Sequence, residues 1–99
     1  MSTAAFALDR DTAGSLGARG QLTFETAAAA LAAITSALAE GSIAQLDLAG
    51  IEHSDSAGLA CVLAAQAHAA RLGRPLALRN MPPNMHALAR VCEVDALEA

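Results

Sequence analysis

The chain has 99 residues, 55% of them hydrophobic, and a formal net charge of −4 at pH 7. This length predicts one domain, residues 1–99, with a modest core of Leu, Ile, Val and Ala, since Phe6 and Phe24 are the only aromatic residues. The six basic residues are all arginines and are scattered along the sequence, which excludes the basic stripe of a nucleic-acid-binding protein.

The sequence also lacks the features of membrane insertion and secretion. No apolar run approaches the ~18 residues that a membrane span needs, and residues 1–5 have neither the basic region nor the hydrophobic stretch of a signal peptide. Cys61 and Cys92 lie in apolar, helix-like segments and are predicted to be buried free thiols. We therefore expect a cytoplasmic protein without direct membrane insertion, which would be held at a membrane only by another protein.

Seven elements are predicted from hydrophobic periodicity and from the residues that start and stop helices. In chain order they are a strand at Phe6–Leu8, a strand at Ser15–Arg19, a helix at Thr23–Glu40, a strand at Ile43–Leu48, a helix at Ser56–Leu72, a strand at Leu76–Arg79 and a helix at Pro83–Cys92. Helices that follow strands imply crossover connections and parallel strands. The predicted fold class is α/β, with a mixed, largely parallel four-stranded sheet, an N-terminal antiparallel hairpin and about three helices, mainly on one face.

The apolar residues of each element predict which side is buried. In the strand at Ile43–Leu48, Leu46 and Leu48 share one face. Asp47 points to the other face or lies near the end of the strand, where it would serve the site. Thr23 is the predicted N-cap of the first helix. The predicted core contacts of the three helices are Leu31, Ile34 and Leu38 in the first, Leu59, Val62, Leu63, Ala67 and Ala70 in the second, and Leu88 and Val91 in the third.

The most informative segment is the start of the second helix, where Asp55 and Ser56 stand side by side. The free N–H groups and the positive end of the helix dipole point outward at such a tip. Asp and Ser are also good N-caps, so an ordinary cap is one interpretation. A phosphorylation site at Ser56 and a contact point for a partner are the other two, and the residues alone leave all three open. The predicted site consists of Asp55, Ser56, Ala57, Gly58 and Leu59.

Catalysis and metal binding find little support in the sequence. A serine nucleophile needs a base within hydrogen-bond reach, and His53 is predicted to be a solvated loop residue. The Gly-x-Ser-x-Gly elbow of the α/β-hydrolases is absent. The histidines and cysteines show no zinc-type spacing, and the chain has no phosphate-binding loop and no lysine. We therefore expect no catalytic residues, no metal and no cofactor, so the chain is predicted not to be an enzyme.

The order of elements and the motif at this tip resemble those of the STAS domain family. The resemblance rests on the run Leu-Asp-Leu-Ala-Gly-Ile at residues 46–51 followed by Asp-Ser-Ala-Gly-Leu at 55–59, and on Gly-Gln-Leu-Thr at 20–23. It extends roughly from residue 6 to residue 97. The family includes anti-sigma-factor antagonists and domains attached to anion transporters, and the resemblance implies a STAS-like fold.

Within the family, the chain is similar to the MlaB-type branch, through residues 73–76, 80–83 and 88–91. This resemblance implies a non-enzymatic cytoplasmic subunit that binds and supports the ATPase of an Mla-type lipid-transport ABC transporter, with Ser56 in the docking region. The alternative that the family implies is an anti-sigma-factor antagonist, in which an anti-sigma-factor kinase phosphorylates Ser56. Ala57 departs from the serine often found at that position in the antagonists.

Overall fold

The protein is described from a computed structural model, which describes residues 5–10 and 12–91. The seven predicted elements are present in the predicted order. They are β1 (Ala7–Asp9), β2 (Ser15–Leu22), α1 (Ala27–Ala39), β3 (Gln45–Ser54), α2 (Ser56–Arg71), β4 (Ala77–Arg79) and α3 (Pro83–Val91). The predicted third helix extended to Cys92, which lies outside the described residues.

The four strands form a single sheet in the order β1-β2-β3-β4. Strand β1 pairs with β2 in the antiparallel direction, and the β2–β3 and β3–β4 pairs are parallel. The parallel pairs follow from the helical crossovers between β2, β3 and β4. This topology confirms the predicted α/β class, with its N-terminal hairpin and its largely parallel sheet.

One face of the sheet carries the core. Leu16 and Leu22 of β2 and Leu46 and Leu48 of β3 are fully buried, whereas Asp47 is only half-buried on the opposite face. The buried residues of all three helices belong to the same cluster as these strand residues. Alternation of side chains along the strands therefore puts Leu and Ala under the helices and polar groups on the other face.

Strand β3 is longer than predicted, because it ends at Ser54 rather than at Leu48. Its second half pairs with the end of β2, from Arg19 opposite Gly50 to Leu22 opposite Ser54. The same pairing extends β2 from the predicted end at Arg19 to Leu22. Residues 49–54 include Gly, Glu, His and Ser, which lack the local signature of a strand, so pairing with β2 determines their conformation.

Helix α1 begins later than predicted, and Thr26 rather than Thr23 is its N-cap. Residues 23–26 form a turn in which the Thr26 N–H donates to the Thr23 carbonyl at 3.0 Å. The Thr23 N–H donates to Thr26 Oγ1 at 2.9 Å, and that hydroxyl donates to the Gln21 carbonyl at 2.9 Å. These bonds hold the chain in a turn before the helix starts, so the prediction of Thr23 as the cap was wrong.

The buried faces of α2 and α3 are partly those predicted. Leu59 and Val62 are buried in α2, but Ala67 and Ala70 are exposed, and Cys61, Ala65 and Ala69 are buried instead. In α3 the buried residues are Met85 and Ala89, whereas Leu88 is half-buried against the core. Val91 is 80% exposed, so its prediction as a core contact was wrong. Cys61 is a buried free thiol, as predicted.

Helix α2 packs very closely on the end of β2 through Gly58. A Cβ atom at this position would lie 2.0 Å from the Leu22 carbonyl oxygen and 3.0 Å from the carbonyl carbon. Both atoms are backbone, so neither can move aside as a flexible side chain would. The absence of a side chain at residue 58 thus sets the distance between the start of α2 and the sheet.

We predict that Gly58→Ala lowers the free energy of unfolding by about 1–3 kcal/mol, because the added methyl group overpacks a rigid contact. At an ordinary helical position the same change raises stability by ~1 kcal/mol, so the sign of the effect is diagnostic. Urea denaturation measures it. A midpoint equal to or above that of the wild type would show that the two backbones are not in close contact.

Candidate functional site

Asp55 joins two separate parts of the chain at the start of α2. It is the N-cap of this helix, and its Oδ1 accepts a hydrogen bond from the Gly58 N–H at 3.0 Å. Its Oδ2 accepts a second hydrogen bond from the Phe24 N–H at 3.1 Å. One carboxylate therefore ties the first turn of α2 to the turn that precedes α1.

The hydrogen bonds keep this carboxylate ionised. The bond from Gly58 is the largest influence on the pKa of Asp55 and lowers it, and the bonds from Phe24 and from nearby backbone groups lower it further. Partial burial acts in the opposite direction but is outweighed, so the pKa of Asp55 lies below its ordinary value. Asp55 is consequently a charged cap at neutral pH.

The five predicted site residues divide between the surface and the interior. Ser56 is exposed at the first position of α2, Asp55 and Ala57 are half-buried, and Gly58 and Leu59 are buried. Asp55 and Ser56 thus lie together on an outward-facing tip. Gly58 and Leu59 face the chain's own core and hold that tip in place. A role of the five residues in binding a partner stays a prediction.

Phe24 is a prominent surface residue that the sequence analysis did not select. Its side chain is 80% exposed and follows the buried Thr23 in the turn before α1. One hint of its importance was present in the sequence, because Phe24 is one of only two aromatic residues in the chain. Its proximity to the α2 tip depends on the hydrogen bond to Asp55, which spans 31 positions in the sequence.

A shallow apolar groove runs between the first halves of α1 and α2, close to the same tip. Its volume is about 300 Å³. We call it the apical groove, and it is lined by Ala27, Ala28 and Leu31 of α1 and by Ala57, Ala60, Cys61 and Ala64 of α2. Small side chains on both helices leave this depression open, because alanines cannot fill the space between two helix backbones.

Acidic residues occur in the segments that lead to the tip. Glu25 lies in the turn before α1, Glu52 lies near the end of β3, and both are exposed. Among the described residues the ion pairs are those of Arg10 with Glu40 and of Arg19 with Asp9. Within that part of the chain, no arginine neutralises the carboxylates of Glu25, Glu52 and Asp55.

The described residues show neither a metal centre nor a membrane span. No group of three or more His, Cys, Asp and Glu side chains is placed to hold a metal ion within residues 5–10 and 12–91. Over the same residues, no helix combines the length and the apolar character needed to cross a bilayer. His53 lies on β3 opposite Gln21 and is exposed, so it belongs to a strand rather than to the predicted loop.

We predict that Asp55→Ala lowers the free energy of unfolding by about 1–2 kcal/mol at pH 7, because the N-cap is lost. The folded-state pKa of Asp55 is lowered, so its contribution is present above its ordinary pKa of 3.8 and is lost as the pH falls through the folded value. The difference between wild type and variant should therefore shrink between pH 7 and pH 2.5 in urea denaturation. A difference that does not depend on pH would show that the charge of Asp55 does not stabilise the fold, and Ser56→Ala serves as the neighbouring control.

Two solved structures of the protein SpoIIAA have the same fold as this chain. The chain has a TM-score of 0.74 and 19% identity to the "Structure of the Anti-Sigma Factor Antagonist SpoIIAA in its Unphosphorylated Form", covering 96% of this chain and 86% of that one. It has a TM-score of 0.70 and 20% identity to the "Structure of the Bacillus Cell Fate Determinant SpoIIAA in the Phosphorylated Form", covering 96% and 89%. At this level of identity the similarity establishes the fold alone.

Sequence similarity identifies the family. The family described as "Mlab, STAS domain" matches residues 6–99, which is nearly the whole chain. No curated protein matches the sequence. The family match agrees with the observed sheet topology and with the predicted resemblance, and the chain therefore belongs to the MlaB-type STAS domain family.

Proposed function

We propose that this STAS domain is a non-enzymatic protein-interaction module that binds and supports the ATPase of an Mla-type lipid-transport ABC transporter, and so contributes to outer-membrane lipid asymmetry. The observation that carries this proposal is the exposed Ser56 on a helix tip that Asp55 fixes to a second loop. The match to a family described by the name Mlab supports the choice of a transporter. The domain would be cytoplasmic and would be recruited to the inner membrane by its partner.

The tip has the properties of a preformed binding surface. Gly58 packs on the Leu22 backbone, Leu59 is 4% exposed, and Asp55 accepts two backbone hydrogen bonds. A partner that contacts Ser56 would therefore meet a rigid surface and would lose little conformational entropy on binding. Ser56 itself would supply a small hydrogen-bonding contact.

The size of the domain limits how much of it a partner can cover. A standard interface buries ~800 Å² on each protein, which is roughly a seventh of this chain's surface of 5326 Å². A contact of that size centred on Ser56 would extend over the turn at residues 23–26 and over the apical groove. A partner centred on Ser56 would thus leave most of the domain's surface uncovered.

We predict that Ser56→Glu weakens copurification with the transporter ATPase at least tenfold while the domain stays folded. The first turn of a helix tolerates a negative charge, but a longer, charged side chain in place of a small serine would overpack a close contact with the partner and would lose its hydration there. Ser42→Glu is the matched control, because Ser42 is an exposed serine in the loop between α1 and β3, away from the start of α2. Undiminished copurification of the Ser56→Glu protein would contradict the proposal.

A second candidate function is an anti-sigma-factor antagonist that is switched by phosphorylation of Ser56. It is favoured by the exposure of Ser56 and by the fold shared with SpoIIAA, which has been solved in an unphosphorylated and in a phosphorylated form. A phosphate would add about −1.5 to −2 charges at the positive end of α2, which the helix dipole tolerates. The partner would then be a kinase that transfers phosphate from ATP.

Intact-mass measurement separates the two candidates. The switch hypothesis predicts that incubation with ATP and an anti-sigma-factor kinase from the same organism adds one phosphate to the wild type and none to Ser56→Ala. The transporter hypothesis predicts no phosphate in either protein. Addition of phosphate to Ser56 together with a lack of binding to the ATPase would favour the antagonist.

A further inference from the structure

The exposure of Phe24 is not explained by the fold. The other aromatic residue, Phe6, packs against the core, whereas 80% of Phe24 is in contact with water. Removing a phenylalanine side chain from water is strongly favourable, because the ring has a large apolar surface. A protein that covers this ring would gain that contribution, and aromatic residues are frequent among the side chains that dominate interface affinity.

The backbone that carries Phe24 is held firmly in place. Its N–H donates to Asp55 Oδ2 at 3.1 Å, and the preceding residue, Thr23, is buried and donates its N–H to Thr26 Oγ1 at 2.9 Å. The Ala27 N–H also donates to the Thr23 carbonyl at 2.8 Å. The ring is thus presented from an ordered turn, and little backbone freedom remains to be lost when a partner binds.

The surface next to this turn is apolar and carries no charge. Helix α1 contains no charged residue anywhere between Ala27 and Ala39, and the apical groove lies between its first half and that of α2. The face of a helix that stays in water usually carries charged side chains. A surface without them, beside an exposed aromatic ring, fits burial against another protein.

The edge of this surface has a definite charge. Asp55 accepts a hydrogen bond from the Phe24 N–H, and Glu25 is the next residue in the chain, so two acidic residues lie close to the backbone that carries the ring. None of the described arginines forms an ion pair with either of them. Arg71 and Arg74 lie at the opposite end of α2 and beyond it. A complementary surface would therefore be apolar at its centre and basic at its border.

We infer that Phe24 is the anchor of the interface with the transporter ATPase, which would place an apolar pocket over the ring and basic side chains beside Glu25 and Asp55. This inference rests on the proposed function and specifies the chemistry of the partner's surface. It differs from the prediction for Ser56 because Phe24 belongs to another part of the sequence and contributes apolar area instead of a hydrogen bond. Asp55 would act as a positioning residue that keeps the ring beside Ser56.

The test compares two substitutions that remove equally exposed apolar side chains. Phe24 and Val91 are both 80% exposed. Val91 is the last residue of α3, about 12 Å along the helix from its first residue, and only the start of α3 lies near Ser54. We expect Phe24→Ala to raise the Kd for the purified ATPase subunit of the same organism at least 30-fold and Val91→Ala to change it less than twofold. Circular dichroism and urea midpoints should match the wild type for both, because neither side chain contributes to the core.

The charge at the border is tested separately with Glu25→Gln. If basic side chains of the ATPase face this residue, the wild-type Kd rises with salt, and the variant binds more weakly with a smaller salt dependence. Glu40→Gln is the control, because Glu40 already pairs with Arg10 at the end of α1. Equal salt dependence in wild type and Glu25→Gln would overturn the basic border.

The outcomes separate this inference from the proposed function. If the wild type binds the ATPase and Ser56→Glu does not, while Phe24→Ala binds as the wild type does, the role of Phe24 is wrong and the proposed function stands. Equal losses in Phe24→Ala and Val91→Ala would likewise overturn the anchor. If the wild type itself fails to bind the ATPase, the proposed function fails and the inference fails with it.

Discussion

The Asp55 carboxylate connects the two loops that form the candidate site. One of its oxygens accepts the Gly58 N–H inside α2, and the other accepts the Phe24 N–H from the turn before α1. The two N–H groups lie near the starts of α2 and α1, where backbone donors have no acceptor within the helix, and the Asp55 carboxylate supplies one for each. A methyl group in place of the carboxylate would leave both donors to water and would release the turn from the tip. Asp55 is therefore the side chain that links the two loops directly, in addition to the packing of Gly58 on the Leu22 backbone.

The sheet determines that these two loops meet at all. Strands β2 and β3 are parallel and end together, with Leu22 opposite Ser54. The segments that follow them must leave from the same edge, which is where open α/β sheets commonly place their binding sites. The pairing is irregular at two places, between Gly17 and Arg19 and between Gly20 and Gln21 of β2. At each place β3 contains one residue more than β2. Such irregularities increase the local twist and direct the end of a strand, and here β3 leads directly into Asp55.

The sequence predicted the parts of the site that depend on local chemistry. Asp55 and Ser56 form a cap next to an alanine-rich helix, so α2 was placed correctly from its first residue. The start of α1 was predicted wrongly, because Thr23 looks like a cap but is held in a turn by Thr26. The second half of β3 was missed, because only its pairing with β2 makes residues 49–54 a strand. Phe24 was missed for the same kind of reason, since a bond to a residue 31 positions away has no local signature.

The two candidate functions use the same surface and differ in what happens to its charge. Asp55 gives the tip a negative charge before any modification, and the segments that lead to it contain the exposed Glu25 and Glu52. A phosphate on Ser56 would add to this charge, and the Gly58 N–H that could otherwise help to stabilise it is already bonded to Asp55. The partner would then have to compensate the extra negative charge with a cation, and a partner without one would dissociate. A permanent transporter subunit needs no such change, because a neutral serine beside an apolar ring and groove can stay buried in a stable interface. Whether Ser56 acts as a contact or as a switch therefore depends on the charge of the partner's surface that faces it. The exposed apolar ring of Phe24 favours a lasting contact, because such a ring gains most when it stays buried.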